Sequence, residues 1–260
     1  MTDPDRFIVI ADEKFDLAGT ERLHQLFAVA RNRRDGAWFA DFRRAAWNAS
    51  VAVASPSVFA APDGFPYLRL VLPAPNQPFQ SNCLSNLCAA CAERGWGIAF
   101  FAKDGDPPEA VQYAIPTGVL ESLRSFGSWD GDPVDQAETA GEVAATEIAV
   151  TAAREVLVAT PSAQYLPPHT AKLLRDYLVK RWQLAEPSVA LLVDPELKPT
   201  RNLVIGKKHS EFPDPAAIDR QMRMLLWYLP PARSLVLMPE DWTLDQMTPL
   251  SDLAGGSTAA

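Results

Sequence analysis

From Glu155 to Met238 the chain alternates between short apolar runs and apolar residues spaced three and four apart. Glu155–Ala159 (EVLVA) is β-branched and apolar and is closed by Thr160-Pro161-Ser162, which predicts a strand entering a turn. Pro168 stands where a first helical residue belongs, because the N–H it lacks would have no partner there. Ala171, Leu174, Leu178 and Trp182 follow as a helical stripe, widened by Leu173 and Tyr177, so a helix lying on a sheet is expected. Ser188–Val193 (SVALLV) reads as a covered strand, Asp194-Pro195-Glu196 turns the chain, and Asn202–Ile205 (NLVI) returns as the second arm of a hairpin. Asp214 can cap a second helix with Pro215 at its first position. Ile218, Met222, Leu225, Leu226 and Leu229 keep helical spacing until Pro230-Pro231 ends the hydrogen-bond ladder, and Ser234–Met238 (SLVLM) is a last strand.

The earlier half repeats much of this plan. Val58–Ala61 and Pro66–Leu72 form a hairpin around Asp63-Gly64, whose glycine supplies the positive φ of the turn. A helix over Ser81–Arg94 ends at Gly95, strands follow at Trp96–Ala102 and Val111–Ile115, and a helix runs over Thr117–Phe126. Before these, Leu23, Leu26, Phe27 and Ala30 mark one short helix, and Trp38, Phe39, Phe42 and Trp47 the aromatic face of another. Arg31, Arg33 and Arg34 lie between them, so this hairpin either packs on the first half or offers aromatic and arginine anchors to a partner. Phe7–Ala11 (FIVIA) reads as a strand or an apolar clasp.

The fold class expected is therefore α/β of the α+β type: two tandem β-α-β-β-α units of ferredoxin-like pattern, preceded by an N-terminal helical hairpin. Residues 1–50 hold the hairpin, 51–128 the first α/β domain and 154–242 the second, whose element order is β-α-β-β-α-β. The intervening stretch 129–153 opens with Asp130, Asp132, Asp135, Glu138 and Glu142 and no basic residue among them, as in a solvated linker. Residues 243–260 read as a flexible tail.

Composition narrows the function. Of 260 residues 48% are apolar, enough for a core without disulfide support. A net charge of −8 argues against a polyphosphate partner, so no nucleic acid is expected. Neither a secretory signal nor an apolar run of bilayer length is visible, which predicts a cytoplasmic protein without membrane association.

The reactive residues form no familiar constellation. Cys83, Cys88 and Cys91 have the C-x4-C-x2-C spacing of plant-type iron–sulfur ligation, but a fourth thiolate is missing from a chain with three cysteines. Cys88-x-x-Cys91 also fits a redox pair or half a zinc site, whereas Leu84, Leu87 and Ala90 around it fit a helix burying free thiols. No metal and no cofactor are expected. His24, His169 and His209 are scattered, no G-x-S-x-G surrounds Ser162, and Gly206-Lys207-Lys208-His209-Ser210 lacks the spacing of a phosphate loop. The acids Asp130/Asp132 and Asp194/Glu196 lie in turn-like sequence, where carboxylates cap backbone. No catalytic residue is assigned.

Three stretches, T-P-S-A-Q-Y-L-P-P from Thr160, P-S-V-A-L-L-V-D-P from Pro187 and L-L-W-Y-L-P-P from Leu225, resemble the carboxy-terminal region of the bacterial SseB-like (enhanced serine sensitivity) family. The resemblance covers the C-terminal half and implies a cytoplasmic bacterial α/β protein with a non-enzymatic role. Two functions follow. The first is a non-catalytic interaction or adaptor protein whose partner is a protein, with Trp129, Asp130, Asp132 and Tyr165 as candidate contacts and self-association compatible with it. The second is an enzyme or small-ligand sensor with a site between the two α/β units, drawing on His169, Lys207 and His209.

Overall fold

The computed structural model describes residues 14–74, 77–135, 156–243 and 247–255. It is a mixed α/β protein that divides into an N-terminal unit, Met1–Trp129, and a C-terminal unit, Asp130–Ala260, each with its own sheet. Phe7–Ala11, residues 136–155 of the expected linker and residues 256–260 lie outside the described residues.

A pair of helices opens the N-terminal unit. α1 (Leu17–Phe27) begins where Asp16 accepts the Ala18 amide at 2.8 Å, and α2 (Gly36–Asn48) where Asp35 accepts that of Trp38 at 2.9 Å. Each carboxylate satisfies a donor that a first helical turn leaves open. Trp38, Phe42 and Ala46 recur every fourth residue and turn inward with Leu23 and Leu26. Packing is thus what the aromatic stripe does. Phe42 is fully buried, stacked on Trp38 at 5.4 Å and edge-on to Phe100 at 5.5 Å.

The sheet below runs in chain order: β1 (Ala52–Ala60), β2 (Pro66–Val71), β3 (Gly97–Phe101) and β4 (Tyr113–Ile115). β1 and β2 are antiparallel about Gly64, whose φ is +84°. β2 and β3 are parallel, which demands a crossover, and α3 (Leu84–Arg94) supplies it. β4 returns antiparallel and leads through Pro116 into α4 (Thr117–Phe126). Leu68, Leu70, Ile98, Phe100 and Ile115 share a core with the inner faces of the four helices. Gly97 is required there, because a Cβ would lie 2.5 Å from the Tyr67 ring and 2.8 Å from the Ile115 carbonyl oxygen.

In the C-terminal unit β5 (Leu157–Ala159) precedes α5 (Pro168–Trp182), whose Thr170, Ala171, Leu174, Leu178 and Trp182 are buried. β6 (Ser188–Val193) and β7 (Arg201–Lys208) form the hairpin, and α6 (Ile218–Leu226) follows a short turn of helix at Pro215–Ala217 capped by Asp214. β8 (Ser234–Met238) closes the expected β-α-β-β-α-β order. The strand order, which periodicity leaves open, is β5-β6-β7-β8, antiparallel except for the last pair. β7 and β8, joined through α6, are direct neighbours, so this β-α-β element is not split. An antiparallel hairpin followed by a helix and a parallel strand is common to both units.

Part of the stretch read as a flexible tail is built into the unit. β9 (Thr248–Pro249) pairs with β6, and α7 (Leu250–Leu253) packs on α5. Leu250 is fully buried, and its amide donates to the Pro187 carbonyl at 2.9 Å. A two-residue strand and a four-residue helix are too short to leave a readable period. Among the described residues no helix is long and apolar enough to cross a membrane.

Candidate functional site

A group of ionisable side chains in the C-terminal unit, Asp132, Asp135, Arg201 and Arg233, gathers beside Tyr165. The parallel pairing of Asn202 with Ser234 places Arg201 and Arg233 side by side, one at the start of β7 and one just before β8. Gly131 lets the acidic segment reach them: its φ is +105°, and a Cβ there would lie 2.1 Å from the Pro231 carbonyl oxygen. Asp132 then folds back to accept the Val134 amide at 2.9 Å. Asp135 takes Arg233 Nε on Oδ2 at 3.3 Å and Arg201 Nη2 on Oδ1, and Asp132 lies 3.7 Å from the same Arg201 nitrogen. Arg233 also donates to the Tyr165 carbonyl and stands 4.6 Å over its ring.

Burial pushes the Asp135 carboxyl above the usual aspartate range, and the charges of Arg201 and Arg233 pull it part of the way back. Burial works against the Arg201 charge too, yet Asp135 and Asp132 outweigh it and hold that guanidinium further up. Both oxygens of Asp135 are engaged by guanidinium groups. These bonds tie the chain segment at 130–135 to the start of β7 and the residue before β8.

Of the candidate partner contacts, Asp132 and Tyr165 are thus brought together, each more than nine-tenths buried. Asp130 is exposed at the start of the same segment. Trp129 belongs to the N-terminal unit, buried with its ring 6.4 Å from Phe42 and Arg43 5.8 Å above it. His169 lies half-buried in the first turn of α5. Lys207 is buried near the end of β7 with its ammonium 4.5 Å from the Phe212 ring, and His209 is exposed in the turn that follows.

That turn is closed by its own acids. Glu240 accepts the Ser210 amide at 2.7 Å and its hydroxyl at 2.6 Å, while Glu211 accepts the Lys208 amide at 3.1 Å. The Ser210 amide, which a phosphate would need, is therefore committed to a carboxylate. The two hydrogen bonds from Ser210 hold the Glu240 carboxyl below the ordinary glutamate range.

The cysteines sit at the head and on the inner face of α3. Cys88 donates to the Leu120 carbonyl of α4 at 3.0 Å, and Cys91 is buried one turn on. Burial pushes the Cys88 thiol up to about 12 and that of Cys91 up to about 11, so both stay protonated at neutral pH.

One surface was missed from the sequence. The outer sides of α5 and α6 carry Lys172, Arg175, Lys180, Arg181, Arg220 and Arg223 against Asp176 and Asp219, an excess of four positive charges in a chain of net charge −8. Arg175 bonds Asp176 at 2.9 Å, whereas Arg181 and Arg220 make no ion pair among the described residues. Val179, 43% exposed, stands among them. The signal was present, since removing the apolar stripe of each helix leaves these cations at helical spacing.

Compared with known proteins, the chain matches no family model, no curated protein and no solved structure.

Proposed function

We propose that the chain is a non-catalytic interaction protein, an adaptor or accessory subunit of the cytoplasm whose partner is another protein. The observation that carries this reading is the contrast within the C-terminal unit. The buried side chains of Asp135 and Arg233 bond one another, while the outward charges of α5 and α6 include Arg181 and Arg220, which make no ion pair among the described residues. Groups used up in internal bonds hold structure, and uncompensated cations beside an exposed apolar residue suit recognition. The resemblance to the SseB-like family supports the same reading, as does an overall acidity that disfavours nucleic acid.

The test is native isolation of the tagged full chain at its natural abundance. A second protein recovered in stoichiometric amount and competed away by untagged chain is the expected result. Recovery of the chain alone would overturn the reading.

A further inference from the structure

We propose that the seam between α5 and α6 is a docking site for an acidic segment of a protein partner, with Arg181 and Arg220 as the charged anchors and Tyr177 and Tyr228 as the floor. The inference rests on the reading of the chain as an interaction protein and assigns that reading a surface and a partner chemistry.

Four side chains define the seam. Tyr177 and Arg181 are one helical turn apart and share a side of α5. The Tyr177 ring meets that of Tyr228, just beyond α6, at 5.9 Å in an edge-on arrangement. Burial pushes the Tyr177 hydroxyl up, while the charges of Arg181 on α5 and Arg220 on α6 both pull it down. Tyr228 is pushed up to about 12 by burial and by Tyr177, with Arg181 again opposing and Asp176 adding. Both rings therefore keep their hydroxyl hydrogens as donors at neutral pH.

Among the described residues no acid pairs with either of these two charges. Asp176, the acid nearest on α5, is bonded to Arg175. A carboxylate matches the planar fork of an arginine, and the Tyr177 phenol supplies a further donor. Val179, exposed on the outer side of α5 between Arg175 and Arg181, adds an apolar contact that an acidic residue's neighbour can cover. A polyphosphate would meet the same arginines, but it extends far beyond two helices into the field of a chain of net charge −8. A short acidic segment reaches only the basic seam.

The full chain would be titrated by fluorescence anisotropy with a fluorescein-labelled peptide of alternating glutamate and leucine. A glutamine–leucine peptide of equal length and an oligothymidylate of equal charge serve as comparisons. The glutamate peptide is expected to bind, to weaken with added salt, and to lose at least about tenfold in affinity when Arg181→Glu and Arg220→Glu set like charges across the interface. Arg181→Gln with Arg220→Gln should weaken it less, Arg33→Glu in the N-terminal unit not at all, and thermal melts check that each variant is folded. The proposal is overturned if the oligothymidylate binds as tightly, if the glutamate peptide ignores the double variant, or if that variant merely dissociates a dimer of this chain. A native partner recovered equally by the chain and the double variant would discard this seam and leave the adaptor reading standing. Charge-dependent peptide binding with no native partner would do the reverse.

Discussion

Arg233 Nε lies 3.3 Å from Asp135 Oδ2, and each of the two side chains keeps only 1% of its surface in contact with solvent. Two charges withdrawn from water are tolerable only together. Removing one leaves the other desolvated and uncompensated, at a cost of about 3–5 kcal/mol. Asp135→Ala is therefore expected to lower the urea midpoint of the C-terminal unit strongly. Replacing Asp135 and Arg233 together by leucine and methionine should cost less than the single change. Equal losses in the single and double variants would show that the pair is not coupled.

Gly131 makes a second prediction about the same segment. A side chain there meets both an unfavourable φ of +105° and the Pro231 carbonyl at 2.1 Å. Gly255 shares the positive φ, +76°, but has nothing within 4 Å of its added Cβ. Backbone strain alone is worth about 1–3 kcal/mol. Gly131→Ala should exceed Gly255→Ala in a thermal melt, the excess reporting the collision with Pro231. If the two substitutions shift the melt equally, that close approach is not retained in solution.

The thiols of Cys88 and Cys91, pushed up to about 12 and about 11, should resist Ellman's reagent in the folded protein near neutral pH and react once urea unfolds it. The linkage has a definite sign. Both groups hold their protons more tightly folded than unfolded, so their contribution is complete below the ordinary thiol value. It is lost as pH rises through that value toward 11 and 12. Stability of the N-terminal unit should therefore fall in alkali, and less so in Cys88→Ala. Rapid labelling of all three cysteines without denaturant would contradict the burial.

Glu240 offers a test by direct titration. The Ser210 hydroxyl and amide bonds hold its carboxyl low, so what the ionised group contributes to the turn is present at neutral pH. That contribution is lost as pH falls through the depressed folded value. In Ser210→Ala the hydroxyl bond is gone and the amide bond stays. The Glu240 carboxyl, followed by NMR, should rise part of the way toward an ordinary glutamate. No movement would mean that the hydroxyl does not hold it.

Elements with chemical punctuation were the ones legible from sequence. Gly95 and Gly127 end α3 and α4 in left-handed geometry, Pro168 opens α5, and Asp214 caps the turn before α6. The apolar pattern predicts β1 only from Val58, yet the strand begins at Ala52, because Ser55-Pro56-Ser57 interrupts the alternation that marks a strand. β7 runs on to Lys208 through Gly206 and Lys207, residues that do not resemble a strand although Lys207 is buried. The acidic stretch suggested a solvated linker because the arginines that gather Asp135 come 66 and 98 residues later. Periodicity reports which face a residue is on. It carries no record of what arrives from elsewhere in the chain.

The spacing of 98 positions between Asp135 and Arg233 also orders events in time. A ribosome delivers the carboxylate first and finishes nearly the whole unit before the matching guanidinium emerges with β8. Until then the acid lacks its buried partner, so the contact with Arg233 cannot seed the assembly of the unit. It acts as a latch, closing once the parallel pairing of β7 and β8 has put both arginines within reach.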